Sequence, residues 1–482
     1  MIDLRPVLYV IGLLVTILGA AMTIPLAVDI AVGNGAWQTF ATASIVTTLI
    51  GGLCALGCAN ARKSGLTLQQ TFLLTTGVWV ALPIFGAIPF CLGERPLPYG
   101  DAFFEAMSGL TTTGSTVYSG LGELTEGKLL WRGLMQWFGG IGIIVVAMVF
   151  LPTLRVGGMQ IFRSEGFDTF GKILPRAAEI AGSIAYIYVG LTLICMFAYS
   201  FAGLAPFDAV VHAMTTIATG GFSNHDASFA ALPAASEYVG AVFMMLASLP
   251  FVRYVQLTAG TARPLFEDSQ IRLFLVVALT VVAALAAWQA LVSGAAFEPA
   301  FRKALFNGVS ILTGTGYASA NYGGWGALPV VLFFLIGLVG GCAGSTTCSI
   351  KIFRFQILAA AIATQVRRIH VPSGVFTPRY EGRPVSEDVM SSVMAFFVLF
   401  ALSLAVLSIA LGMMGLSTIT ALSGAATALA NVGPGLGPEI GPTGNFSSLP
   451  DSAKWLLAAA MLIGRLELMS VYVLFTVAFW RR

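Results

Sequence analysis

One short phrase recurs four times in this chain. It reads Thr112-Thr113-Gly114-Ser115, Ala218-Thr219-Gly220-Gly221, Gly314-Thr315-Gly316-Tyr317 and Asn431-Val432-Gly433-Pro434. Gly114, Gly220, Gly316 and Gly433 follow one another at about 106, 96 and 117 residues, a period that marks tandem copies of one structural unit. The chemistry on offer is backbone carbonyl oxygen. Glycine adopts backbone angles closed to other residues, so a strand containing it can turn successive carbonyls inward. Four such strands around one axis would replace the water shell of a bare alkali cation. The candidate ligands are the carbonyls of Thr112 and Thr113, Ala218 and Thr219, Gly314 and Thr315, and Asn431 and Val432. The chain holds 54 glycines, so a single Gly in an apolar segment reads as helix packing. The weight lies in four copies in register.

The elements that must position these strands are membrane helices. Only 10% of residues are charged and 57% are hydrophobic, against about 25% charged in a soluble domain. A spanning helix needs about 20 apolar residues. Candidate spans are 7–31, 39–61, 70–92, 132–152, 180–203, 236–258, 272–293, 327–364, 389–413 and 453–480. Four shorter segments, about 100–113, 206–219, 299–315 and 417–431, lie between paired spans. Each begins polar, turns apolar and ends just before the recurrent Gly. This is the pattern of a re-entrant half-helix, whose C-terminal carbonyl end would point to the membrane centre and favour a cation there. The architecture expected is an all-α integral membrane protein, with an N-terminal two-helix hairpin (1–66) and four repeats at 67–176, 177–268, 269–384 and 385–482.

Basic residues cluster at Arg62-Lys63, Arg155 to Arg176, Arg253 to Arg272, Lys351 to Arg383 and Arg481-Arg482, which the positive-inside rule places in the cytoplasm with both termini. The opposite loops carry Glu94, Asp101, Glu123, Glu126, Asp226, Glu237, Glu298, Glu439 and Asp451, an acidic face that would concentrate cations. The net charge of +3 gives no reason to expect nucleic acid. Neither the six cysteines nor the three histidines show metal-site spacing, and Cys54 and Cys58 read as small residues on one helix face. The first apolar run is long, with no clear cleavage site after it. No dinucleotide- or phosphate-binding motif occurs, so no organic cofactor is expected in this chain.

Two further features stand out. The stretch 327–364 is too long for one straight crossing, and Gly340-Gly341-Cys342-Ala343-Gly344-Ser345-Thr346-Thr347 fills its middle with poor helix formers. Two readings are open: a loop below the carbonyl strands that blocks conduction, or a kink at a close helix contact. Arg465 lies in the apolar run 453–480, where a charge costs about 2.5–3.5 kcal/mol on insertion scales. It is expected mid-helix, either facing the pathway as a fixed positive charge or paired with a carboxylate. Glu467, two residues on, is not on the same helix face.

The chain resembles the Trk/Ktr/HKT superfamily of potassium transporters, and most closely the bacterial Trk-type membrane subunit. Besides the four Gly phrases, the resemblance rests on Trp137-Phe138-Gly139-Gly140-Ile141-Gly142, Gly157-Gly158-Met159-Gln160-Ile161-Phe162-Arg163, Pro175-Arg176 and the stretch Gly340–Thr347. It covers nearly the whole chain. The resemblance implies four M1–P–M2 repeats in pseudo-fourfold symmetry around one pore, with potassium as the transported ion. It implies a filter in which Ser at the first Gly goes with sodium permeation, the Gly340–Thr347 segment as intramembrane gate, and a matching arginine beside it. It also implies a homodimer in the bacterial inner membrane, and a cytoplasmic ring of nucleotide-binding regulatory subunits docked on the basic segments Arg155–Arg176 and Lys351–Arg383. The plain alternative for those segments is topology anchoring.

Two other classes compete. A proton- or sodium-coupled symporter wants membrane-embedded carboxylates, yet most acids here lie in loops, with Glu105 and Asp208 expected near the outer surface. A membrane enzyme or respiratory subunit wants His, Lys and Glu lines within the spans, which are lacking. The fourth phrase departs from the others in lacking Thr-Gly and in having Pro434 after the Gly.

Overall fold

The computed structural model describes residues 2–61, 66–147, 157–159 and 177–481. The first element is a hairpin. Helices α1 (Arg5–Ala21) and α2 (Thr23–Val32) make one crossing of 28 residues, and α3 (Trp37–Gly57) returns. Small residues bring the pair together. A methyl group on Gly12 would stand 2.7 Å from the Ala55 nitrogen, and one on Gly51 would stand 2.6 Å from the Thr16 nitrogen. Backbones meet this closely in a bilayer because dispersion, rather than water exclusion, drives helix association there.

Four copies of one unit follow. In the first, α4 (Leu68–Gly86) and the short α5 (Ile88–Cys91) cross the membrane, α6 (Tyr99–Leu110) re-enters it, and α7 (Glu126–Val145) completes the repeat. The second has α8 (Ala177–Phe201), α9 (Pro206–Ile217), α10 (Ala234–Ala247) and α11 (Phe251–Thr258). The short α12 (Arg263–Glu267) leads to the third, formed by α13 (Ser269–Leu291), α14 (Phe297–Leu312), α15 (Ala327–Gly337) and α16 (Ile352–His370). The fourth has α17 (Glu387–Met413), α18 (Thr418–Ala430), α19 (Asp451–Arg465), α20 (Met469–Tyr472) and α21 (Val477–Trp480). A two-stranded hairpin, Arg379–Tyr380 against Arg383–Pro384, is a small addition to the all-α expectation. The protein is an integral membrane helical fold with an N-terminal hairpin and four channel-like repeats.

Six of the ten expected spans are single crossings, with Leu68–Cys91 combining α4 and α5 as Arg5–Val32 combines α1 and α2. The others differ. The second helix of the second repeat bends by 87° between Ala247 and Phe251, where Pro250 cannot donate a helix hydrogen bond. The fourth bends by 107° after Arg465, so Arg465 ends its helix instead of sitting mid-span. Glu467 and Leu468 there take left-handed backbone angles, with φ of 63° and 45°. The third is a loop from Leu338 to Lys351 between α15 and α16. In the first, α7 carries Glu126, Lys128 and Arg132 at its start, which lowers its hydropathy. The basic residues Arg62-Lys63, Arg155, Arg163 and Arg176, with Arg482, lie outside the described residues.

The short helices α6, α9, α14 and α18 form the centre of the molecule. Every residue from Ala102 to Leu110 is buried, as is Asn307 to Leu312. The spanning helices surround them, with exposed Ile17, Leu193, Leu279 and Val406 on their outer sides.

Candidate functional site

The four short helices end identically. The amide of Thr113 donates to the Ser108 carbonyl (2.9 Å), Gly220 to Thr215 (2.8 Å), Thr315 to Ser310 (2.9 Å) and Val432 to Thr427 (3.0 Å). One residue earlier, Thr112, Thr219, Gly314 and Asn431 take φ of 53°, 48°, 70° and 52°. These are Schellman caps, which turn the chain out of the helix through one left-handed residue. A β-branched residue there is strained, and such strain gathers at functional sites. The side chains are held: Thr219 Oγ1 donates to Thr346 Oγ1 (3.2 Å), and the Asn431 amide donates to Thr113 Oγ1 (3.0 Å) and the Met461 carbonyl (2.8 Å).

This geometry corrects the register of the second repeat. Thr112, Thr219, Gly314 and Asn431 are equivalent, and two residues on come Gly114, Gly221, Gly316 and Gly433, with φ of 86°, 79°, 83° and 103°. Gly221, not Gly220, is therefore the counterpart of Gly114. Ala218 is the end of the helix and is not part of the strand. The structurally equivalent stretches are Thr112–Gly114, Thr219–Gly221, Gly314–Gly316 and Asn431–Gly433. The sequence held the signal in Asp101-Ala102 and Ala106-Met107, which match Asp208-Ala209 and Ala213-Met214 at an offset that pairs Gly114 with Gly221.

These strands pass one another in cyclic order. A methyl group on Gly114 would stand 2.3 Å from the Gly220 oxygen, and one on Gly221 would stand 1.9 Å from the Thr315 oxygen. On Gly316 it would meet the Val432 oxygen at 2.0 Å, and on Gly433 the Thr113 oxygen at 2.8 Å. Each glycine thus faces a carbonyl of the next repeat, and the fourth returns to the first. Among the described residues, the carbonyls of these strands accept no hydrogen bond, save Gly220 from Gln136 Nε2 (2.5 Å) and Gly433 from Ser115 Oγ (2.8 Å). Buried carbonyls without a partner are uncommon, and a ring of them suits a cation. Gly114, Gly221, Gly316 and Gly433 also line one side of a cavity of about 120 Å³.

A polar side chain in each short helix fixes its strand. Glu105 accepts from the Val117 amide (2.9 Å) and Thr116 Oγ1 (2.9 Å), and Asn307 accepts from the Ser319 amide (3.0 Å). His212 Nε2 meets Ser223 Oγ at 3.0 Å, and Ser423 Oγ accepts from the Leu436 amide at 2.9 Å. Glu105 is fully buried, and Arg132 pairs with it at 2.8 Å. Arg132 also donates to the Ser223 carbonyl (2.8 Å), tying the first repeat to the second. Gln136, which sequence reading missed, grips the second strand through Gly220 and the Phe222 amide (3.0 Å).

Directly behind the strands runs the loop containing Gly340 to Thr347. Cys348 Sγ lies 3.7 Å from Thr112 Oγ1, and Ser349 N and Oγ each donate to the Ala430 carbonyl at 3.0 Å. The loop is stitched to the bend of the second repeat, with Cys342 N donating to the Ser248 carbonyl (3.1 Å) and Phe251 N to the Gly344 carbonyl (2.9 Å). A methyl group on Gly340 would stand 2.0 Å from the Cys348 carbonyl, so the loop closes only with Gly there. Arg465 lies under it, buried. It donates to the Thr346 carbonyl (3.3 Å), the Gly139 carbonyl (3.2 Å) and Cys348 Sγ, with its guanidinium 5.7 Å from the Trp79 ring. Among the described residues it has no carboxylate partner; Glu467 pairs instead with Arg354.

Helices that re-enter a membrane to hold a ring of backbone carbonyls define a class of protein that moves cations across bilayers. A profile of the TrkH family, described as cation transport proteins, matches residues 36–481, and the chain belongs to that family. It is 44% identical to the Trk system potassium uptake protein TrkI of Halomonas elongata, over 99% of this chain and 97% of that one. It is 36% identical to the Trk system potassium uptake protein TrkH of Escherichia coli, over 99% of both. The crystal structure of the potassium transporter TrkH from Vibrio parahaemolyticus superposes with a TM-score of 0.92 at 33% identity, over the whole of both chains.

Proposed function

We propose that this chain takes up potassium through a pore between its four repeats. Thr112–Gly114, Thr219–Gly221, Gly314–Gly316 and Asn431–Gly433 form the filter, and the loop Gly340–Thr347 with Arg465 forms the gate. The observation that carries this reading is the cyclic approach of the four strands, each filter glycine facing a carbonyl of the next repeat. The names of the relatives support potassium as the ion. The cavity beside Gly114, Gly221, Gly316 and Gly433 is then the outer vestibule, and the gate loop lies on the cytoplasmic side. Glu105, the embedded acid expected of a coupled symporter, is engaged by Arg132, Thr116 and the Val117 amide. That favours a pore over proton or sodium coupling.

Two copies pair in the bacterial inner membrane, with a nucleotide-binding regulatory subunit on the cytoplasmic face. The exposed end of α16, with Ile362, Val366, Ile369 and the basic Arg367 and Arg368, is the described part of the proposed docking surface. The test is rubidium-tracer uptake into liposomes containing the purified chain, in competition with potassium and sodium, for wild type and Gly114→Ser. Potassium should compete far better than sodium, and the serine variant should narrow the gap. Equal competition in wild type would remove the selectivity claim.

A further inference from the structure

The gate loop ends at Lys351, the residue before α16. Its side chain is buried and folds back on the loop. The ammonium donates to the Thr347 carbonyl and, at 3.1 Å, to Thr347 Oγ1. Lys351, Thr347, Cys348, Arg465 and Glu467 all line one cavity of about 20 Å³, room for about one water and too little for a hydrated cation. Nearby, Arg354 is fully buried, donates to the Gly157 carbonyl (2.9 Å), lies 3.9 Å from the Phe396 ring and pairs with Glu467. Among the described residues, three buried cations, Lys351, Arg354 and Arg465, therefore lie near one carboxylate, which Arg354 uses.

A buried charge without a counter-charge is costly, and a fold with no use for it loses little by replacing it. Donation to the Thr347 oxygens does not itself need a charge, since neutral N–H groups also donate to carbonyl and hydroxyl oxygen. What lysine adds is a compact positive charge with three donors on a flexible stem. Carbonyl and hydroxyl oxygen are also what a potassium ion leaving the filter would seek.

We propose that Lys351 is a second positioning residue of the gate. Its ammonium takes the oxygen ligands of Thr347 that a passing potassium ion would otherwise use, and with Arg465 it makes the closed pathway repel cations. Opening then requires the ammonium to leave Thr347, which its flexible stem allows without remaking the loop. This rests on the pore reading above.

The test is basal rubidium flux in liposomes for the full chain carrying Lys351→Met, Lys351→Gln or Lys351→Arg, with Arg465→Ala as reference and potassium–sodium competition as second readout. Met and Gln should both raise flux about tenfold, and Arg should hold it at the wild-type level, with ion preference unchanged throughout. High flux with Met but wild-type flux with Gln would make Lys351 a hydrogen-bonding strut and overturn the proposal. Wild-type flux in both, with Arg465→Ala elevated, would overturn it while leaving the pore reading standing. If no protein passes rubidium, Arg465→Ala included, the pore reading falls and takes this proposal with it. Should the Met variant fail to purify as a single species, Gln, which retains a hydrogen-bond donor without the charge, decides the matter.

Discussion

Two glycines in neighbouring strands, Gly314 and Gly221, do different work at the residue scale. Gly314 takes φ 70°, but a methyl group there would find its nearest neighbour 3.6 Å away, and its counterparts Thr112, Thr219 and Asn431 already carry side chains. Gly221 takes φ 79°, and a methyl group would stand 1.9 Å from the Thr315 oxygen. Gly314→Ala should therefore keep rubidium flux and ion preference, at a left-handed backbone cost of about 1–2 kcal/mol. Gly221→Ala has to push the next repeat's carbonyl out of line, and should lose potassium preference or flux altogether. Loss of preference in Gly314→Ala, with Gly221→Ala unaffected, would return the register to Gly220. Arg465 yields a second expectation at this scale. Its charge is held below the filter by the Thr346 and Gly139 carbonyls rather than by a carboxylate, so Arg465→Ala should raise cation flux; unchanged or lower flux in a well-folded variant would count against a barrier role.

Pairs of elements are coupled by buried polar contacts that strengthen in a low dielectric. Arg132 on α7 joins Glu105 on α6 to the Ser223 carbonyl after α9, so one guanidinium ties the segments that flank two of the proposed filter strands. Removing one partner leaves the other as an uncompensated buried charge, at about 3–5 kcal/mol. Arg132→Leu should accordingly lower the thermal midpoint in detergent and relax potassium preference together. A variant with lowered midpoint and intact preference would reduce the pair to a strut remote from the filter. The sequence showed these elements well where they are regular: apolar length identified the crossings, and the four short segments fell between them. It missed the breaks after Ala247 and Arg465, because hydropathy averages across a bend and reads two short helices as one span. It missed the pairing of Glu105 for a related reason, since a carboxylate in a half-helix shows no partner until its arginine, 27 residues on, is brought beside it. Gln136 and Lys351 were illegible because their partners are backbone atoms of distant or folded-back segments.

Across the whole molecule, the cavity proposed as the outer vestibule is lined by charge from two repeats, Arg132 from the first and His225 and Asp226 from the second, and its pH response follows from His225. His225 Nε2 lies 3.1 Å from Asp208 Oδ2, with Asp226 next in sequence and the His212 ring stacked at 6.2 Å. The hydrogen bond His225 donates to Asp208 raises the His225 pKa above its ordinary value, against partial burial, which lowers it. A group whose pKa is raised in the folded state stabilises that state fully below its ordinary value, and loses the contribution as pH rises through the raised one. Stability from this contact should thus fade as the outside turns alkaline. Conduction should move the other way. Once His225 loses its proton, the vestibule has one positive charge fewer beside Asp208 and Asp226, and cations are drawn in more strongly. Rubidium uptake by cells should therefore increase as external pH rises through the raised value, more steeply at low ionic strength because the interaction is screened by salt. His225→Gln, neutral at every pH, should flatten that rise and hold uptake near the alkaline level even in acid. Parallel pH profiles for wild type and His225→Gln would show that the vestibule charge does not act through this histidine.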